Sequence, residues 1–148
     1  MSRARRTVTG VVSLGPKARV DSFNRLAITD SLFGLGILSG LAGLVGVFDD
    51  LGDGVVLLVT SLVSVSIGTA GRRTYEQRHR PTPGRVVSGL AATWAVLVLV
   101  GTGVYLASSA TDSAGTALFE SASGFSTTAL TVLDPSRLSV GMQLFRGS

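Results

Sequence analysis

The most distinctive chemistry in the chain lies in Phe119–Leu133, FESASGFSTTALTVL, where serine, threonine, alanine and glycine replace the large apolar residues of a membrane helix. Thr127, Thr128, Ala129, Leu130 and Thr131 read as an extended run, because threonines compete for backbone hydrogen bonds and continue a helix poorly. A row of backbone carbonyls from such a run can replace the hydration shell of a potassium ion. Glu120 and Gly124 stand just before it. A carboxylate at membrane depth is costly unless paired or water-lined. Glu120 is therefore read as a brace or cation attractor behind the run, or else as a carboxylate facing an outer vestibule. The bland reading of Thr127–Thr131 is an ordinary external loop touching the membrane surface.

Other reactive residues are sparse. Asp49, Asp50 and Asp53 could offer oxygens to a hard cation, but with Gly52 and Gly54 they read better as a solvated turn, short of the ligands of a calcium loop. His79 is the only histidine and there is no cysteine. Disulfides, thiolate metal sites and thiol catalysis are excluded, and no Ser–His–Asp set or metal-ligand cluster can be assembled. The chain is read as a non-enzyme without a cofactor. Its formal charge of +4 does not imply nucleic acid, because the arginines lie beside apolar runs instead of alternating with aromatics on a soluble face.

The elements that must position these residues are membrane helices. Apolar residues make up 45% of the chain and charged ones 15%, with mean hydropathy +0.47, too apolar for an ordinary soluble domain. Ser31–Phe48 and Gly54–Gly71 are uncharged runs of about 18 residues and Val86–Ala110 one of about 25, each able to cross a ~30 Å hydrocarbon core. Polar residues and Pro16 separate the first basic block from the first run, which argues against a signal peptide. Arg3, Arg5, Arg6, Lys17, Arg19 and Arg25 precede the first span; Arg72, Arg73, Arg78, Arg80 and Arg85 flank the loop between the second and third. Only aspartates lie between the first two. This asymmetry places the N-terminus and the basic loop in the cytoplasm and the acidic turn outside. Gly36 and Gly40, four residues apart, let another backbone approach one face of the first span. Trp94 and Tyr105 are single aromatics, with Tyr105 expected as an interfacial anchor. After the third span, Asp112 or Ser113 can cap a helix over Gly115 to about Ser126, roughly 18 Å long, half a membrane. Entering from outside, its partially negative C-terminal end would point toward the bilayer centre, where it favours a cation. Exposed extended backbone beyond it is tolerated only beside protein or water. Asp134 and Pro135 begin an outward turn.

ALFESASGFSTTALTVL, Ala117–Leu133, behind a span containing Trp94, resembles the first pore helix and filter of the Trk/Ktr/HKT potassium transporters. Phe119, Glu120, Ser123, Gly124, Phe125, Thr127, Thr128, Thr131 and Val132 carry the likeness. The resemblance implies an all-α integral membrane fold: three transmembrane helices, then a re-entrant pore helix and filter strand belonging to a potassium-channel-like repeat. It implies potassium uptake into the cell across the plasma membrane, with filter carbonyls from residues 127–131 and support from Glu120 and Gly124. Such transporters have four fused repeats around one pore and are often dimeric, with a cytosolic nucleotide-binding regulatory subunit. This chain would supply the first pore loop; remaining repeats, or further copies of the chain, would supply the rest. The pattern has glycine where Ala129 stands. A non-glycine residue at positive φ costs about 1–2 kcal/mol, which would tilt a carbonyl away from the ion. The resemblance implies that members with serine at this filter position admit sodium, so sodium is expected beside potassium here, and Ala129→Gly is expected to sharpen potassium preference.

The resulting layout is a basic cytoplasmic N-terminus over 1–30, two spans over 31–71, a basic loop over 72–85, the first helix of the pore repeat over 86–110, pore helix and filter loop over 111–137, and the start of a further helix over 138–148. That last segment is too short to complete a repeat, so the likeness covers only the N-terminal part of a usual member. The alternative function is a non-conducting accessory subunit packing with a full-length transporter through the glycine face of the first span.

Overall fold

The computed structural model describes residues 16–73, 83–108, 110–128 and 130–147. Five α-helices follow in order: α1 Pro16–Asp49, α2 Leu51–Arg73, α3 Pro83–Ala107, α4 Ala114–Phe125 and α5 Val140–Gly147, with a short 3₁₀ turn at Pro135–Arg137 before α5. Arg25–Asp49, Leu51–Arg73 and Val86–Ala107 are long and apolar enough to cross a membrane, so the chain is membrane-embedded. Helix α1 begins at Pro16, inside the segment expected as a cytoplasmic N-terminus. The first basic residues, His79 and Ala129 lie outside the described residues.

Helices α1 and α2 form a hairpin closer than the glycine-rich turn expected from sequence. Only Asp50 lies between them, and Gly52 and Gly54 are already helical. The Asp50 carboxylate replaces the turn: its Oδ1 accepts from Gly52 N at 2.8 Å and Asp53 N at 3.1 Å, capping α2. Gly36 and Gly43 of α1 then meet α2 backbone to backbone. A Cβ on Gly36 would lie 2.9 Å from Val65 N, and one on Gly43 2.9 Å from Leu58 N. Ser61 Oγ crosses the gap to donate to Gly36 O at 2.6 Å. This glycine face is covered within the chain, so it is not the free docking face that the accessory-subunit alternative required. At the other end, Arg72 Nε donates to Asp30 Oδ1 at 2.6 Å and its guanidinium lies 4.1 Å from the Phe33 ring centroid.

Helix α3 packs on α1 and also against α4. Gly101 opens space for Ser121 and Phe125; Ser121 Oγ donates to Val98 O at 2.7 Å, so α4 runs back along α3 to about its middle. Helix α5 seats Gly141 against Gly46 of α1, where a Cβ on Gly141 would fall 2.8 Å from Gly46 Cα. Leu57, Ala117, Met142 and Phe145 form the core with Tyr105. Tyr105 is not an interfacial anchor: only 2% exposed, it packs edge-on against Phe145 at 6.3 Å between centroids. Trp94 is 43% exposed on α3. No strand forms among the described residues. Of the expected filter strand, the described residues 127, 128, 130 and 131 are irregular backbone, and the polar bonds of this segment go to the Ser123 and Glu120 side chains instead of a second strand.

Candidate functional site

The start of α4 follows local chemistry. Of the two expected caps the structure selects Ser113, whose Oγ accepts from Thr116 N at 3.3 Å. The helix ends in a Schellman motif: Thr127 N donates to Gly124 O at 3.1 Å and Thr128 N to Ser123 O at 3.2 Å. Such a motif places its next residue in the left-handed region, and here that residue is Thr127, with φ 56°. A β-branched residue there costs about 1–2 kcal/mol relative to glycine. Thr127 Oγ1 donates to Ser126 O at 2.7 Å, and the Ser126 and Thr128 hydroxyls bond to each other.

Glu120 holds the returning segment. Its side chain is 1% exposed. Oε1 accepts from Val132 N at 2.6 Å, from Thr131 Oγ1 at 2.8 Å and from Leu133 N at 3.1 Å. Oε2 takes no hydrogen bond among the described residues and faces Arg146 Nε of α5 at 3.8 Å. Of the alternatives, brace or vestibule carboxylate, the geometry is that of a brace, since Oε1 collects three donors from the segment it holds. A second tie comes from Ser123, whose Oγ donates to Leu130 O at 2.6 Å. Thr127, Thr128, Leu130 and Thr131 remain exposed, and Gly124 is exposed on α4.

The segment leaves at Asp134, where the carboxylate accepts from Ser136 N at 3.0 Å and Ser136 Oγ at 2.7 Å. These bonds hold its carboxyl below the usual carboxylate range. It then arrives at the acidic turn. Val140 N donates to Asp49 Oδ2 at 2.7 Å and Ser139 Oγ to Asp53 Oδ2 at 2.5 Å. Asp49, Asp50 and Asp53, with Ser108 and Arg137, line an open cavity of about 340 Å³. The aspartates tie helices together there, and no group of three His, Cys, Asp or Glu residues is placed to hold a metal among the described residues. Ser108, near the end of α3, and Ser139, before α5, both line this cavity. Helix α4 therefore leaves the same end of the bundle to which residues 126–139 return.

Three contributors escaped the sequence reading. Arg146 could have been sought as a cation partner for a carboxylate at membrane depth, since only Arg137 and Arg146 follow Leu133. Ser123 was noted for its likeness but not as a donor, and Thr127 was not expected to be the left-handed residue. Comparison with protein-family models, curated proteins and solved structures gives no match.

Proposed function

We propose that the chain contributes one pore loop to a path for potassium or sodium uptake across the plasma membrane, with its N-terminus in the cytoplasm. In this reading α4 is a re-entrant pore helix, and ions pass the backbone carbonyls of Thr127, Thr128, Ala129, Leu130 and Thr131. One observation carries it: a half-length helix and its return segment start and finish at one end of the membrane-spanning bundle, with the return segment pinned by Glu120 and its outer residues exposed. Exposed irregular backbone at membrane depth has to be covered by protein or line water. Further pore repeats, or copies of this chain, supply that cover and the rest of the filter. A cytosolic nucleotide-binding subunit as regulator follows from the family resemblance.

A second reading, a non-conducting partner of a complete transporter, is favoured by the Ser123 bond to Leu130 O, which turns one loop carbonyl toward α4. A carbonyl has two lone pairs, so this bond leaves one for an ion. The test is cation flux into proteoliposomes containing the chain as isolated from its native membrane with whatever copies or partners accompany it. Potassium and sodium entry above empty vesicles, with a higher Tm in potassium than in choline, is expected. Flux equal to empty vesicles together with an ion-independent Tm would overturn the pore reading.

A further inference from the structure

We propose that α5 is a strut through which the α1–α2 turn sets the conformation of residues 131–133, with Asp49 and Arg146 as positioning residues at its two ends. An isolated helix of eight residues is marginal and takes its place from its contacts. At its start, Val140 N is held by Asp49, Ser139 Oγ by Asp53, and Gly141 lies against the backbone of Gly46. These contacts refer α5 to α1 and α2, not to the loop. Along its buried face lie Met142 and Phe145, and near its other end Arg146, with its side chain 21% exposed, reaches Glu120 Oε2 at 3.8 Å.

Glu120 joins the strut to the loop. Oε2 has no hydrogen-bond donor among the described residues, so Arg146 supplies the charge that keeps this buried carboxylate in place. Oε1 meanwhile holds Thr131, Val132 and Leu133. Without Arg146, Oε2 is left buried with no partner, so the carboxylate is drawn toward water and all three bonds on Oε1 weaken. Two spans that contribute no loop residue thus control the loop. Where the loop lines an ion path, its conformation also sets the potassium-to-sodium ratio; that consequence rests on the pore reading, and the effect on loop structure does not.

The test is amide hydrogen exchange, resolved by NMR, on the full chain in lipid nanodiscs. Arg146→Gln is expected to speed exchange at Val132 and Leu133 by about tenfold, and Asp49→Ala by about threefold, with Leu57 and Ser64 of α2 unchanged. Arg146→Lys restores part of the protection and carries the test if Arg146→Gln does not fold. Unchanged Val132 and Leu133 in the Arg146 variants would overturn the strut, as would an Asp49→Ala effect confined to Val140 or an acceleration that includes α2 equally. Cation flux separates the two readings. A silent unmutated chain sinks the pore and leaves the strut to the exchange data, whereas a conducting chain whose potassium-to-sodium ratio is unmoved by Arg146→Gln removes only the selectivity consequence.

Discussion

The α1–α2 hairpin and the α4–α5 region are held together by opposite means. In the hairpin, missing side chains do the work: Gly36 and Gly43 bring two backbones within van der Waals reach, Gly40 makes room for the Ser61 side chain, and the close contacts are spread along several turns. Around α4, apolar packing of Ala117 and Phe125 is joined by polar contacts that converge on one carboxylate, with three donors on one oxygen and a cation beside the other. Lipid explains why both work. Apolar side chains gain little by leaving lipid for a helix interface, so close packing and internal hydrogen bonds must supply the association. Distributed packing tolerates the loss of any one contact, while a convergent polar network depends on its centre.

The sharpest way to break that contrast is Glu120→Ala. It strands Val132 N, Leu133 N and the Arg146 charge together, and we expect a loss of about 3–5 kcal/mol in denaturant unfolding in detergent micelles, concentrated in α4, α5 and the loop. A loss under 1 kcal/mol would show that the network is not convergent. In the hairpin, Gly36→Ala forces a Cβ to within 2.9 Å of Val65 N; the expected cost is about 1–3 kcal/mol, part of it offset by the better helix propensity of alanine. Gly34→Ala is its control, since nothing lies within 4 Å of a Cβ there, and it should be neutral or stabilising by up to about 1 kcal/mol. Equal effects at the two positions would dissolve the distinction between packed and open glycines. Thr127→Gly relieves a β-branched residue at φ 56° and should stabilise by up to about 1 kcal/mol, read from the same unfolding curves.

The smallest effect is at the exit of the loop. The two bonds from Ser136 hold the Asp134 carboxyl below the ordinary range. A depressed carboxyl contributes stability that is complete above its unfolded pKa and fades as pH falls through the lower folded value. Ser136→Ala should therefore move the Asp134 titration, followed by carboxyl carbon NMR, back up toward the ordinary carboxylate range. An unmoved titration would mean that the hydroxyl bond does not hold the carboxyl down, since the bond from the backbone N of residue 136 survives the substitution.

Much of the framework was legible because it depends on local pattern. Uncharged runs of membrane-crossing length mark the three spans, and Ser113 with the residues behind it marks the half-length helix almost to the residue. What escaped were features whose cause lies in another part of the chain. Gly52 and Gly54 read as a turn, yet Asp50 alone closes the hairpin because its carboxylate caps α2. Tyr105 read as an interfacial residue, yet α5 covers it with Phe145. The threonine run read as an extended strand, and it is irregular because Glu120 and Ser123 take its hydrogen bonds. Glu120 was correctly singled out as needing a partner, but which partner depended on where α5 docks.

The sequence by itself determined that the protein lives in a membrane, how many apolar helices of spanning length it has, and where a short polar helix begins. Hydrophobic length and side-chain caps act over a few neighbouring residues, so each segment carries its own signal. Tertiary structure alone decided that Gly36 faces Val65, that Asp49 holds the first amide of α5, and that Arg146 meets Glu120. These pairings join residues 26 to 91 positions apart, and burial of a polar or charged atom states only that it needs a partner, while the docking of whole helices determines which one it finds.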